Sequence, residues 1–469
     1  LNKATLNYSQ TTMFLSEFAA KISAEDIPKS ITELSTDLFL DYLRVASVGQ
    51  RMPWSSWAQQ YALQTAALGP APILFSKQSY DVVSAAFINA IYAGSIDADD
   101  VHVGAMLHPG CIIFSSALAI GHSRKLSGHV LLPAIIAGYE TMIRLGLCIQ
   151  PGHFKRGFQS TSTIGVLGSA VTAATLLFND DPPGKKALKI AQTLGVAASF
   201  AGGLVQFFHS GSTVKRLHAA QAASSGVKAA LLVQSGFSGP TDIFEGQDGF
   251  ARAYSDSMNL QALEGLGKDY QIIEVAIKPH ATSARVLSAI EAANTLCLEH
   301  AIQSGQIIAI TLGIPKVIQG RLTSNSPKDI QSAQMSAPFC VALSIFKSTP
   351  SSQLVINVDD VEQGLHHPEV MRLCELVQCQ LDPDVEKTSS NESVSAKLTI
   401  QLKNGQTLFT QVNAPKGSPS RPYSTLDHQL GAMTELGRRY SKSTTQEMIS
   451  LVKNFSTLTD IQTLTSLLQ

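Results

Sequence analysis

Apolar residues recur three and four apart over most of the first 235 positions, the spacing that lays them along one side of a helix. Ser30-Ile-Thr-Glu33 has the spacing of a capping box; Leu34, Leu38 and Tyr42 follow at helical intervals, and Gly49 supplies a stop. The same grammar predicts helices over residues 85–93, 130–145, 164–178, 187–201 and 214–233, all rich in Ala and Gly, which lets helices approach closely. No stretch here alternates as a half-buried strand does, so the first half reads as an all-helical bundle.

The pattern changes after the Gly- and Pro-marked turns at 237–248. Residues 270–277 and 307–312 are short and β-branched, and Leu398, Ile400 and Leu402 alternate ahead of Asn404-Gly405, a strong hairpin signal. Helical patterns lie between them, over 330–346 with a break at Pro338 and over 368–377, while 384–393 reads as an exposed loop. A Pro/Gly/Ser linker at 414–422 precedes a return to helices. The expected fold is mainly α: a large all-helical domain built from both chain ends, 1–268 and 416–469, with an inserted α+β lid domain over 269–415.

A chain of 469 residues exceeds what one core usually supports, which agrees with two domains. With 44% hydrophobic and 15% charged residues and a net charge of −1, disorder and a strongly basic nucleic-acid binder are both excluded. The uncharged runs 52–76, 157–179 and 190–214 are each interrupted by Gln, Ser or Thr and by Gly or Pro, so buried helices are expected rather than membrane spans. The six cysteines are scattered without metal spacing and are expected to be reduced. Residues 1–25 lack the apolar core of a secretory signal; a cytoplasmic location is expected, with a mitochondrial one as the alternative.

Candidate chemistry concentrates in residues 95–110, where Asp97, Asp99, Asp100, His102 and His108 follow an apolar helix. Such groups are costly to bury unpaired, so the segment is either a site or a capping loop between helices. A calcium loop is rejected because its sixth and twelfth positions are His102 and His108. Zinc is rejected because no third ligand stands between those histidines, and no metal is expected. Ser212-Thr-Val-Lys215 matches a serine-nucleophile motif whose companion motifs are absent. We read it instead as a helix start, capped by residues 210–213, whose free N–H groups with Lys215 and His218 would cradle an anion. Lys278-Pro279-His280 follows a predicted strand and could offer a cation to a cleft.

These features lie among others whose order resembles the MmgE/PrpD superfamily, the 2-methylcitrate dehydratase and cis-aconitate decarboxylase group. They include Phe39-Leu-Asp41, Val48-Gly49, Asp99-Asp100 with His108-Pro-Gly110, Ala137-Gly-Tyr-Glu140 with Arg144, Gly157-Phe158, Val214-Lys-Arg216, Phe244-Glu-Gly246, Gly249-Phe250 and Pro415-Lys-Gly417. Val48-Gly-Gln-Arg-Met-Pro-Trp-Ser55 is especially similar to fungal cis-aconitate decarboxylases. The resemblance implies a homodimer, no metal, no organic cofactor, and a pocket for di- or tricarboxylates between helical domain and lid. It places Asp97, His108, Lys215 and Lys278 at catalytic positions and His102 at a companion position; Gln159, Arg216, His218 and His280 are the further substrate-binding candidates. Two positions depart from the family pattern: Gln159 and a residue near Leu287 stand where histidines are usual.

Three functions are consistent with this reading. The first is a cofactor-independent lyase that decarboxylates or dehydrates a polycarboxylate by acid/base chemistry. The second, motivated by Gln159 and Leu287, is an isomerase or cyclase of specialised metabolism. The third is a binding protein that has lost its chemistry.

Overall fold

The computed structural model describes residues 10–210, 212–350 and 353–469, apart from the side chains of His209 and Ser210. Asp81 opens the helix Val82–Gly94 by accepting the free N–H groups of Val83 and Ser84, both at 3.0 Å. This helix, Gly110–Ser123, Gly128–Ile149, Gly165–Leu177 and Lys215–Gln234 pack against one another as the centre of a largely helical fold. Their closeness depends on small residues. A Cβ at Gly226 would stand 2.4 Å from the Ser169 Cβ, and one at Gly138 would stand 2.0 Å from the Thr172 Oγ1. Gly128–Ile149 and Ser160–Leu177 are long and apolar enough to cross a membrane, and here 89% and 94% of their apolar windows are buried inside the protein.

The chain's apolar side chains gather into two large clusters. The larger draws on residues from Leu15 to Ile277 and again from Ala432 to Leu468; the second draws on Val286 to Leu402. Within the second, Ile307–Ile314 pairs in parallel with Val377–Leu381 and antiparallel with Ala396–Leu402, which forms the hairpin with Thr407–Val412. Gly405 takes φ +85° at its turn, a conformation glycine adopts without strain. The break near Pro338 falls just before it, between helices Ile330–Gln334 and Ala337–Lys347, and Ser336 caps the second of these.

Four local expectations are corrected. The helix Lys29–Gly49 starts after Pro28 without a side-chain cap, so Ser30 and Glu33 form no capping box. A short hairpin, Leu68–Pro72 with Ser79–Tyr80, lies in the helical half; Asn89 fixes the chain beside it by accepting from the Leu74 N–H and donating to the Pro72 carbonyl. Residues 270–277 are not a strand but a turn, Gln271–Glu274, followed by one bridge between Ala276 and Val101. A side chain has taken one backbone group a strand would need, and another holds the chain just before the segment. Buried Glu140 accepts the Ile272 N–H at 3.0 Å, and buried Arg144 donates to the carbonyls of Ala262, Glu264 and Asp269. Finally, part of 384–393 is helical: Asp382 caps Pro383–Thr388, and Val385 anchors it with no exposure.

Candidate active site

The helix Val82–Gly94 ends where Ser95 returns its hydroxyl to the Ile91 carbonyl at 2.6 Å. Two residues on, Asp97 adopts φ +59°, a left-handed conformation that aspartate tolerates better than most residues. Its position is over-determined by two lysines. Lys278 Nζ donates to Oδ1 at 2.8 Å and Lys215 Nζ to Oδ2 at 2.6 Å, joining three distant parts of the chain. Lys278 also lies 3.4 Å from the Asp99 carboxylate. Burial alone would raise the Asp97 pKa, but the two ammonium groups outweigh it and hold the carboxyl well below its usual range. Burial lowers Lys215 to about 8, with Asp97 opposing the shift; for Lys278 the two carboxylates overcome burial and raise it.

His108 sits beside this triad. Its Nδ1 lies 2.8 Å from the Asp100 carbonyl and 3.4 Å from the Asp99 carboxylate. Both neighbours are acceptors, which assigns the neutral ring's proton to Nδ1 and leaves Nε2 as the basic nitrogen. Burial lowers the His108 pKa although Asp99 pulls it upward, so the ring is a neutral base near pH 7. Asp100 faces away, accepting the Gly110 N–H and the Tyr139 hydroxyl, each at 2.8 Å; burial raises its pKa to about 7.

Asp97, His108 and Lys215 open onto a cavity of about 600 Å³ including its mouth. Gln159, Ser160, Ser283 and Arg285 complete its polar lining. Gln159 and Val205 reach it through a short antiparallel pairing, in which Gln159 N–H donates to the Gly203 carbonyl and Val205 N–H to the Gly157 carbonyl. The Gln159 side-chain oxygen caps the turn Ser160–Thr163 through the Ser162 N–H at 2.8 Å, leaving its amide NH2 as a donor. Arg285 has no carboxylate within 4 Å among the described residues; it lies 5.0 Å from the Phe154 ring, which Arg321 also approaches, at 4.2 Å. Burial, with repulsion from Arg321, lowers its pKa to about 10, so it remains a cation. The rest of the lining is apolar and includes Met106, Phe154, Val205, Phe207, Phe208 and Met335. A wider outer cleft shares Val103, Met106 and Arg285 with this cavity.

Of the residues singled out in the sequence, Asp97, His108, Lys215 and Gln159 line the cavity. Lys278 is behind Asp97 with no exposure, so it holds the aspartate instead of presenting a cation to the cavity. Asp99, not Asp97, is the carboxylate beside His108. Arg216 turns into a separate cleft with Trp54, Ser212 and Gln331, and donates to Gln334 at 2.5 Å. His102 accepts the Ala105 N–H and holds its own turn, His218 packs behind Phe207, and His280 accepts the Ile356 N–H. None of the three lines the cavity, and burial lowers each to about pKa 4. Leu287 is buried in the second apolar cluster. The helix Lys215–Gln234 begins after Val214 without a side-chain cap; the expected capping by Ser210 and Gly211 lies outside the described residues. Among the described residues no three His, Cys, Asp or Glu side chains are grouped to hold a metal ion.

Arg285 is the main residue that sequence reading missed. A lone arginine in Ala-Thr-Ser-Ala-Arg carries no motif, and its one signal was an uncompensated charge a few positions after Lys278. Ser160 was also missed; its hydroxyl accepts from Gln150 at 2.7 Å, and buried His153, pushed down to about pKa 4 by burial, lies behind it.

Comparison with known proteins adds to this geometry. Residues 14–262 match the MmgE/PrpD N-terminal domain and residues 280–456 the MmgE/PrpD C-terminal domain. The chain is 24% identical to a cis-aconitate decarboxylase-like protein of Aspergillus oryzae over 86% of both chains. It is 23% identical to a cis-aconitate decarboxylase of Aspergillus terreus over 98% of this chain and 96% of the relative. To the Homo sapiens cis-aconitate decarboxylase it is 26% identical over 82% of this chain and 79% of the relative. With both parts of the family pattern matched in order along the chain, it belongs to the MmgE/PrpD family.

Proposed function

We propose that this protein is a cofactor-independent lyase acting on a polycarboxylate, by decarboxylation of a cis-aconitate-like acid or dehydration of an alkylcitrate-like acid. The observation that carries this reading is the pairing, in one cavity, of a neutral imidazole base with two cations, Lys215 and Arg285. Removing a proton next to a carboxylate spreads negative charge onto that carboxylate, and losing CO2 leaves the electron pair of the broken C–C bond on carbon, where a remaining conjugated carboxylate shares it until a proton is added. Cations already held in place by the fold stabilise that charge without reorganising. His108 Nε2 takes or returns the proton, Asp99 and the Asp100 carbonyl orient the ring, and Lys215 and Arg285 bind carboxylates. Lys278 and Asp97 keep Lys215 in place. The relatives named as cis-aconitate decarboxylases support a lyase at the level of the family. We further propose that the second apolar cluster acts as a lid inserted into the helical part, and that the chain works as a homodimer.

The test is NMR of cis-aconitate, citrate and 2-methylcitrate with the protein in deuterated buffer, alongside Lys215→Ala and His108→Ala. Loss of CO2, loss of water or deuterium uptake that disappears in both variants is expected. Turnover undiminished in both variants would sink the assignment. The alternative, an isomerase or cyclase, draws on the apolar share of the cavity and on Gln159, whose amide cannot exchange a proton near neutral pH. It predicts no chemistry on any of the three acids and reaction of a larger, less charged substrate.

A further inference from the structure

Phe154, Val205 and Phe207 are buried but belong to neither large apolar cluster; with Met106 and Phe208 they form a small cluster of their own. All five line the cavity. The patch is continuous: the Phe207 and Phe208 rings are 4.6 Å apart, and Phe154 meets Phe208 edge-on at 6.3 Å. It is also fixed in place. Val205 is tied by its N–H to the Gly157 carbonyl, and Phe207 is backed by the His218 ring at 5.7 Å. Arg285, stacked on Phe154, marks where the patch meets the polar lining.

A small acid with a carboxylate on every arm has no use for such a wall. Each arm turned towards it would lose hydration and gain no partner. The polar lining is concentrated instead on Asp97, His108, Gln159, Ser160, Lys215, Ser283 and Arg285, enough to hold the charged end of a substrate. We infer that the substrate is a di- or tricarboxylate bearing an alkyl chain of several carbons, the chain lying on the Phe154, Val205, Phe207 and Phe208 surface. This rests on the polycarboxylate reading above and adds the substrate's apolar arm.

The experiment compares citrate with its 2-methyl, 2-butyl and 2-hexyl derivatives, measuring binding by calorimetry and turnover by NMR. Wild type is set against Val205→Thr, Phe208→Ser and Lys215→Met. Burying each added methylene should raise affinity or kcat/KM about three- to fourfold until the surface is filled. Val205→Thr keeps the side-chain volume and places a hydroxyl on the wall, so it and Phe208→Ser should reduce binding of hexylcitrate by a larger factor than binding of citrate. A series flat in chain length, or losses equal for citrate and hexylcitrate, would overturn the inference even if citrate is turned over. Conversely, binding that climbs with chain length, with no turnover of any member, would retain the apolar arm and remove the dehydration branch of the lyase reading.

Discussion

Burial pulls the Lys215 ammonium towards neutrality while Asp97 holds its proton, and the outcome is a pKa of about 8, close to the working range of an enzyme. Its role as a cation is therefore lost as pH rises through about 8, while His108 loses its role as a base as pH falls below its depressed pKa. A bell-shaped kcat/KM profile is expected, and Lys215→Arg should move the alkaline limb upward and leave the acid limb in place. Arg285→Met should raise KM for a polycarboxylate by about tenfold or more, the loss of roughly one charged hydrogen-bonding partner, with kcat changed less. The same substitution relieves repulsion from Arg321, so thermal stability should hold or rise. Asp100 makes the opposite kind of prediction. Its pKa is raised in the folded state, so between about pH 4 and 7 the folded chain binds more protons than the unfolded one and stability falls as pH rises. Asp100→Asn should flatten that slope and be more stable at pH 8 by on the order of 1–3 kcal/mol, read from denaturant midpoints. Asp97, His108 and Lys215 were legible because unusual residue types crowd short stretches of sequence. Arg285 was not, because its meaning is that no carboxylate among the described residues stands within 4 Å of it, a fact of three dimensions.

Among the elements, the misread segment 270–277 shows where pattern reading stops. Its β-branched residues fit a strand, but the Ile272 N–H is taken by Glu140, 132 positions earlier, and Arg144 holds the Asp269 carbonyl just ahead of the segment. The pair is fully buried, with Arg144 Nε 2.9 Å from the Glu140 carboxylate. Arg144→Met should therefore cost about 3–5 kcal/mol, because it leaves the buried Glu140 carboxylate without its cation and three carbonyls without their donor. Hydrogen exchange should show the loss concentrated at Ile272, whose N–H Glu140 accepts. The helices themselves were readable because packing and sequence periodicity coincide. Even so, the glycines that set their separation carry no periodic signal. Gly226→Val would push into Ser169 and the Ala170 backbone and should destabilise by at least about 1–3 kcal/mol. The hairpin at Gly405 was legible for the converse reason: two residues specify its turn with no help from the rest of the chain.

At the scale of the whole molecule, one ionic cluster joins distant parts of the chain: Asp97 and Asp99, Lys215 and Lys278. Lys278 follows directly on Ile277, the last residue before the gap in the larger cluster, and holds Asp97, 181 positions earlier. The sequence pattern anticipated the change of character along the chain, and the resemblance implied a pocket there, but not that Lys278 would turn to Asp97 with no exposure. A homodimer, which family resemblance implies, should give twice the chain mass by light scattering. Arg285 lines both the cavity and the neighbouring cleft, so its guanidinium adds positive charge to the approach if acids enter through that cleft. Association should then depend on ionic strength, since charges beyond about 10 Å are screened at 0.1 M salt. A trianionic acid should enter fastest at low salt, and its uncharged ester should enter at a rate salt does not change. The doorway would thus select by charge, leaving shape to be judged inside.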